Sequence, residues 1–251
     1  MKTENYITAS CIISNNIVYK DQQPDFEEKD SALSEFLIAA YRHLGWQYPK
    51  FFKMDNLSKL GWLANEILLQ NSFDKEKYSA EDVGIVLSNA NSSLDNDIRY
   101  YETTKTMASP ALFVYTLPNI VIGEISIRHH FKGENAFFIF DAFDAAFIEQ
   151  YVSNLINNNI LQCCICGWVD VLDEKYNATL FLIEKDKSAN SVNFTKENLN
   201  KTINSSASIE SRPSPSTNNG WSSPISSGLV SCKFNWAMIC VFRSAINLSI
   251  L

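Results

Sequence analysis

Asp141 and Asp144, two carboxylates three residues apart, bracket Ala142 and Phe143 in the run GENAFFIFDAFDAAF, residues 133–147. A carboxylate pair at such a place could move protons in acid–base catalysis. The apolar run before Asp141 reads as a short buried strand, and the run after it as a helix. The acids then have a plainer role, in which Asp141 caps the helix and Asp144 sits in its first turn, each stabilised by the helix dipole. The histidines are the other candidate bases. His129 and His130 adjoin at a predicted helix end beside Arg128 and Lys132, which reads as a solvated basic spot, and His43 stands alone after a helix. None has an acid or nucleophile next to it in sequence.

Sulfur is the remaining source of chemistry. Cys163 and Cys166 have the Cys-x-x-Cys spacing of a zinc knuckle or redox pair, with Cys164 between them. On a strand, however, Cys164 and Cys166 face one side and Cys163 the other, so the three cannot converge on one ion. They read as small buried hydrophobes, and Cys11 as another. No metal and no cofactor is expected. The run VGIVLSNANSS, residues 83–93, is placed like a phosphate loop but lacks the glycines and the lysine.

The elements that must position these residues follow from periodicity. Leu33, Phe36, Leu37, Ala40 and Tyr41 recur at helical spacing. So do Leu60, Leu63, Ala64, Ile67 and Leu68, with Asp55 or Asn56 placed to cap that helix. Ile148, Tyr151, Val152, Leu155 and Ile156 form a third stripe. Between them lie β-branched or aromatic runs at 7–14, 83–88, 136–140, 161–168 and 179–183, whose continuous apolarity suits strands covered on both faces.

Charge and composition exclude several functions. With 28 acidic and 21 basic residues the net charge is −7, and no run of Lys or Arg marks a nucleic-acid face. No apolar run has the length and purity of a membrane span. Six unevenly spaced cysteines and the lack of a signal-peptide pattern point to a reducing cytoplasm. The compact unit is expected to cover residues 1–185. Residues 186–228 read as a disordered linker, since residues 204–228 hold ten Ser, three Pro and two Gly. Residues 229–251 turn apolar again, interrupted by Lys233, Asn235, Arg243 and Asn247, and form a tail of unknown origin.

Several segments, in order, resemble the N-terminal half of the β-ketoacyl-acyl-carrier-protein synthases, condensing enzymes of the thiolase fold. They are YITASCIIS (6–14), KMDNLSKLGWLA (53–64), VGIVLSNANSSL (83–94), ASPALFVYTLPNIVIGEISIRHHFKGEN (108–135) and LQCCICGW (161–168). The resemblance covers residues 5–184. It implies one half of a thiolase-like α/β fold, a mixed five-stranded sheet flanked by helices, followed by a disordered tail.

In that family a catalytic cysteine occupies the strand-to-helix corner, and the resemblance puts its position at Ala142, between Asp141 and Phe143. Alanine can be neither nucleophile nor acyl carrier. The family's two catalytic histidines come from its second half, and no histidine follows His130. The chain is therefore expected to lack activity alone.

The resemblance also implies that the strand 136–140 pairs with its counterpart across a two-fold axis, since left open its apolar edge would invite aggregation. It further places residues 113–120 at the mouth of an acyl tunnel. Phe113, Tyr115, Leu117, Ile120, Phe137, Phe138 and Phe140 are the candidate tunnel or interface residues, with core filling as the alternative. The expected role is a non-catalytic subunit of the chain-length-factor type. It would pair with a full-length ketosynthase and meet acyl carrier protein in fatty acid or polyene-type elongation. Alternatives are a decayed condensing enzyme and a homodimeric acyl-binding module.

Overall fold

The computed structural model describes residues 4–210 and 240–241, with side chains described through residue 204. A single mixed sheet carries the fold. Its strands are β1 (Tyr6–Ser14), β2 (Ile17–Lys20), β3 (Gln23–Glu27), β4 (Val83–Asn89), β5 (Asn135–Ile139), β6 (Cys163–Leu172) and β7 (Lys175–Glu184). Two-residue strands β8 (Val192–Asn193) and β9 (Cys240–Val241) add to it. The order is β3-β2-β1-β7-β6-β4-β5-β9, with β8 also on β1. β4 runs parallel to β5 and β6, and the other pairings are antiparallel. The five expected strands are all present, and the β2–β3 hairpin extends them. The hairpin escapes sequence reading because β3 carries Pro24 and mostly exposed polar residues, so it has no apolar alternation.

Helices cover both faces. α1 (Leu33–His43), α2 (Asn56–Leu69), α3 (Leu94–Thr104), the single-turn α4 (Pro110–Phe113) and α5 (Ile120–His129) precede β5. Of these, α1, α2 and α5 cover a large core that includes Leu37, Trp62, Leu87, Ile125 and Leu182. α6 (Ala145–Asn157) and α7 (Lys196–Glu210) lie over a second core on the opposite face, with Val86, Phe138, Val152, Cys166 and Phe181. Two crossovers build the parallel strands: β4 reaches β5 through α3–α5 on the first face, and β5 reaches β6 through α6 on the second.

The compact structure continues past residue 185, where the sequence reading closes it. β8 pairs with Tyr6 and Ile7, and α7 packs on α6. Phe194 and Leu199, an isolated apolar pair amid polar residues, are buried in the second core. The polar composition of the segment hides those two anchors. Most of the apolar tail at 229–251 lies outside the described residues.

α2 is buried on nearly every side, as expected of a helix at the centre of a layer. Its ends are therefore closed by side chains. Asp55 accepts a bond from the Ser58 N–H at 3.0 Å. At the other end Lys20 Nζ donates to the carbonyls of Ile67, Leu68 and Gln70 at 2.7, 2.7 and 2.9 Å. A cation on the last carbonyls also complements the helix dipole. Lys20→Met is expected to cost about 2 kcal/mol in urea unfolding, because the charge-assisted bonds go and the half-buried stem stays.

Burial pushes the Asp55 carboxyl up to about 6, against the lowering effect of the Ser58 bonds and with a small rise from Asp95. The folded state thus holds this proton more tightly than the unfolded chain does. Its contribution to stability falls as pH rises from about 4 to about 6. Asp55→Asn keeps a cap acceptor and removes the buried charge. The variant should lose that slope and gain up to about 3 kcal/mol at pH 8, read from denaturation curves at pH 4 and pH 8.

Candidate functional site

Crossovers on opposite faces make the C-terminal ends of β4 and β5 a topological switch point, the place where open α/β sheets bind ligands. The turn after β4 and the corner after β5 meet there, joined by the Phe140 N–H on the Asn89 carbonyl at 3.0 Å. The β4 turn is already filled. Asp170 accepts from the Ala90 and Asn91 N–H groups at 3.2 and 3.0 Å and from Asn91 Nδ2 at 2.7 Å. N–H groups that could cradle a phosphate are thus committed to a carboxylate.

At the corner itself, Asp141 and Ala142 are exposed in a bend before the helix begins. The cap of α6 is Asp144, whose carboxylate accepts from the Phe147 N–H at 2.9 Å. This corrects the expected assignment of the cap to Asp141. The chain stays non-helical through Phe143, so the helix starts three residues later than the apolar pattern indicates. Phe143 turns edge-on to Trp168 at 6.3 Å. Next to it Phe138, Phe140, Phe147 and Tyr151 form a cluster with ring separations of 4.8–5.8 Å. The corner therefore offers no hydroxyl or thiol, and an aromatic wall stands beside it.

The sheet separates the candidate tunnel residues. Tyr115, Ile120 and Phe137 pack with the first core, whereas Phe138 and Phe140 pack with the second. Phe113 and Leu117 are exposed, by 58% and 54%, and Phe113 touches Tyr100 at 5.5 Å. Buried Tyr115 anchors their segment: its hydroxyl donates to Glu124 Oε1 at 3.1 Å, and Lys50 pairs with Glu124 Oε2 at 2.6 Å. Burial, with the neighbouring Glu124 carboxylate, raises the Tyr115 pKa.

Sequence reading misses this anchor, because Lys50, Tyr115 and Glu124 come from three separate segments. Phe147 and Tyr151 it could have found, since the two are spaced by four on one face of α6.

His129 also departs from expectation. It is partly buried against the Glu66 carboxylate of α2, with Arg128 at 3.6 Å from the same group and over the Tyr48 ring at 5.1 Å. The pair looks solvated in sequence because its acid lies on another helix. His43 packs on Phe26 at 4.7 Å. The thiols divide as the strand alternation requires, Cys163 in the first core and Cys164 and Cys166 in the second. Burial raises the pKa of all three.

β5 pairs with β4 along its length. Its other edge carries a short antiparallel ladder, Ala136 opposite Val241 and Phe137 opposite Cys240. The edge expected to pair with a counterpart across a two-fold axis thus bears two residues of the same chain. No helix among the described residues is long and apolar enough to cross a membrane.

No protein-family model and no curated protein matches the sequence. Solved structures do match the fold. The ishigamide ketosynthase/chain length factor gives a TM-score of 0.53 at 16% identity, over 74% of this chain and 63% of that one. A type II PKS acyl-carrier protein in complex with its ketosynthase bound to the hexaketide gives 0.51 at 14%, over 73% and 64%. A ketosynthase in complex with its chain length factor from Xenorhabdus doucetiae gives 0.50 at 14%, over 72% and 79%. The chain spans less than two thirds of the first two. Its fold is the thiolase-like α/β fold of ketosynthases and chain length factors.

Proposed function

We propose that this chain is a non-catalytic, ketosynthase-like subunit of the chain-length-factor type. It would complete a heterodimer with an active, full-length ketosynthase and help enclose an acyl chain delivered on acyl carrier protein. The observation that carries this reading is the corner at Ala142. A strand, a corner and a helix follow one another as in a condensing-enzyme frame, and Ala142, where the resemblance puts the nucleophile, has no reactive atom and lies exposed. The aromatic wall of Phe138, Phe140, Phe147 and Tyr151 supports the reading, because it offers apolar surface in place of polar catalytic groups. The exposed Phe113 and Leu117 support it too, as surface that a partner would cover.

The test is co-expression of tagged protein with a full-length ketosynthase, followed by product analysis. A stable complex and an altered product length are expected. Capture of no ketosynthase together with unchanged product length would overturn the proposal. Ala142→Cys should show no condensation activity alone, because a thiol without its histidine partners cannot complete the reaction. Measurable activity of that variant would refute the non-catalytic reading.

A further inference from the structure

The outer edge of β5 is only partly covered by β9. The even-numbered residues along β5 bond to β4, as the Ile85 N–H on the Glu134 carbonyl at 3.2 Å and the Phe140 N–H on the Asn89 carbonyl at 3.0 Å show. The backbone N–H and C=O groups of Asn135, Phe137 and Ile139 therefore point away from β4. β9 lies antiparallel there, with Cys240 opposite Phe137 and Val241 opposite Ala136. It meets only the middle one of the three. Asn135 and Ile139, both half-buried, keep outward backbone groups that a longer strand would pair.

The sequence around β9 fits that edge. Residues 236–242, WAMICVF, are apolar without interruption, and Arg243 follows. Continuing the β9 register puts Ile239 opposite Phe138, Met238 opposite Ile139 and Ala237 opposite Phe140. In the other direction it puts Phe242 opposite Asn135 and Arg243 opposite Glu134. β5 packs Phe137 and Ile139 on the first core and Ala136, Phe138 and Phe140 on the second. A strand beside it lies between both layers, so it needs apolar residues at every position, and this run has them. Glu134 makes no ion pair among the described residues, and the register brings a cation to it. The chain between Glu210, where α7 ends, and Cys240 can span up to about 100 Å, ample to reach β5.

We propose that residues 236–243 pair with β5 as a full edge strand, and that this strand closes the edge to any second chain. The contact is autoinhibitory, because another strand can take the edge only by displacing it. The inference stands apart from the subunit reading, since its test uses the isolated chain and no ketosynthase.

Amide hydrogen exchange of the full-length chain, followed by nuclear magnetic resonance, tests it. Slow exchange is expected at Asn135, Phe137 and Ile139 and at Met238, Cys240 and Phe242. Ile239 and Val241, whose N–H groups would face away from β5, should exchange fast. Cys240→Pro removes a ladder donor and should speed exchange at Phe137 and Ile139 about tenfold or more. Val241→Pro removes an outward N–H and should change it far less. Light scattering should show the Cys240→Pro chain self-associating more than the unmodified chain, through the bared edge. Arg243→Glu should speed exchange at Asn135, and adding Glu134→Arg should restore it. Circular dichroism checks the fold of each variant, and Met238→Pro replaces Cys240→Pro if the latter misfolds. Exchange of residues 238–242 at the rate of an unfolded chain, or without alternation, overturns the proposal. Equal exchange in the two proline variants, or equal association of the Cys240→Pro and unmodified chains, overturns it too.

Discussion

Trp62→Ala should lower the unfolding free energy by about 4 kcal/mol, among the largest effects of any single substitution in this chain. Trp62 is fully buried in the middle of α2. Tyr48 stacks on it at 5.3 Å, Trp46 meets it edge-on at 5.7 Å, and Phe51 and Tyr41 close the sides at 5.5 and 6.0 Å. Truncation opens a cavity among rigid rings that cannot collapse to fill it. The loss should reach further, because Tyr48 also carries the Arg128 guanidinium at 5.1 Å. Trp62→Phe should cost much less. The indole Nε1 is buried with no hydrogen-bond partner, so the smaller ring also removes an unsatisfied donor. Urea unfolding of both variants checks the account, which fails if the alanine variant loses under about 1 kcal/mol.

Gly167→Ala is expected to cost about 3 kcal/mol, or to leave the protein insoluble. Gly167 lies within β6 opposite Leu180, at φ +152°. A Cβ there would sit 2.0 Å from the Thr179 carbonyl oxygen and 3.0 Å from the Leu180 Cα. Both are backbone atoms of β7, so relief requires the central β6–β7 pairing to open. Gly123→Ala is the matched control. It lies within α5 with nothing within 4 Å of the added Cβ, and should gain up to about 1 kcal/mol from helix propensity. Thermal unfolding should move the two variants in opposite directions.

The helices α1, α2 and α6 were legible because each carries an apolar stripe at helical spacing, and Leu33, Leu60 and Ile148 are all buried where the stripe puts them. The alternation of Cys163, Cys164 and Cys166 was legible for the same reason. What failed was long-range. Lys20 closing α2, Glu174 holding the start of α1, and Glu66 receiving His129 each join residues far apart in sequence, and nothing in local pattern records such a meeting. The corner was half legible. Its strand and helix could be read, but of two aspartates three apart the sequence reading put the cap on the wrong one, Asp141. That choice depends on where the backbone first becomes helical, and Asp144 decides it.

The sheet order has a consequence for how the chain comes into being. β1 is made before every other strand of the described sheet, yet its ladder sets Tyr6 opposite Glu184, so its inner partner β7 is made only after β2 to β6. Until β7 arrives, the meander with β2 and β3 and the helix α2 can shelter one face of β1, but its inner edge stays unpaired. During translation Ile7, Cys11 and Ile13 therefore have no finished core to enter. The nascent β1 segment should be the one most dependent on chaperones, and its docking onto the β6–β7 hairpin a late step of folding.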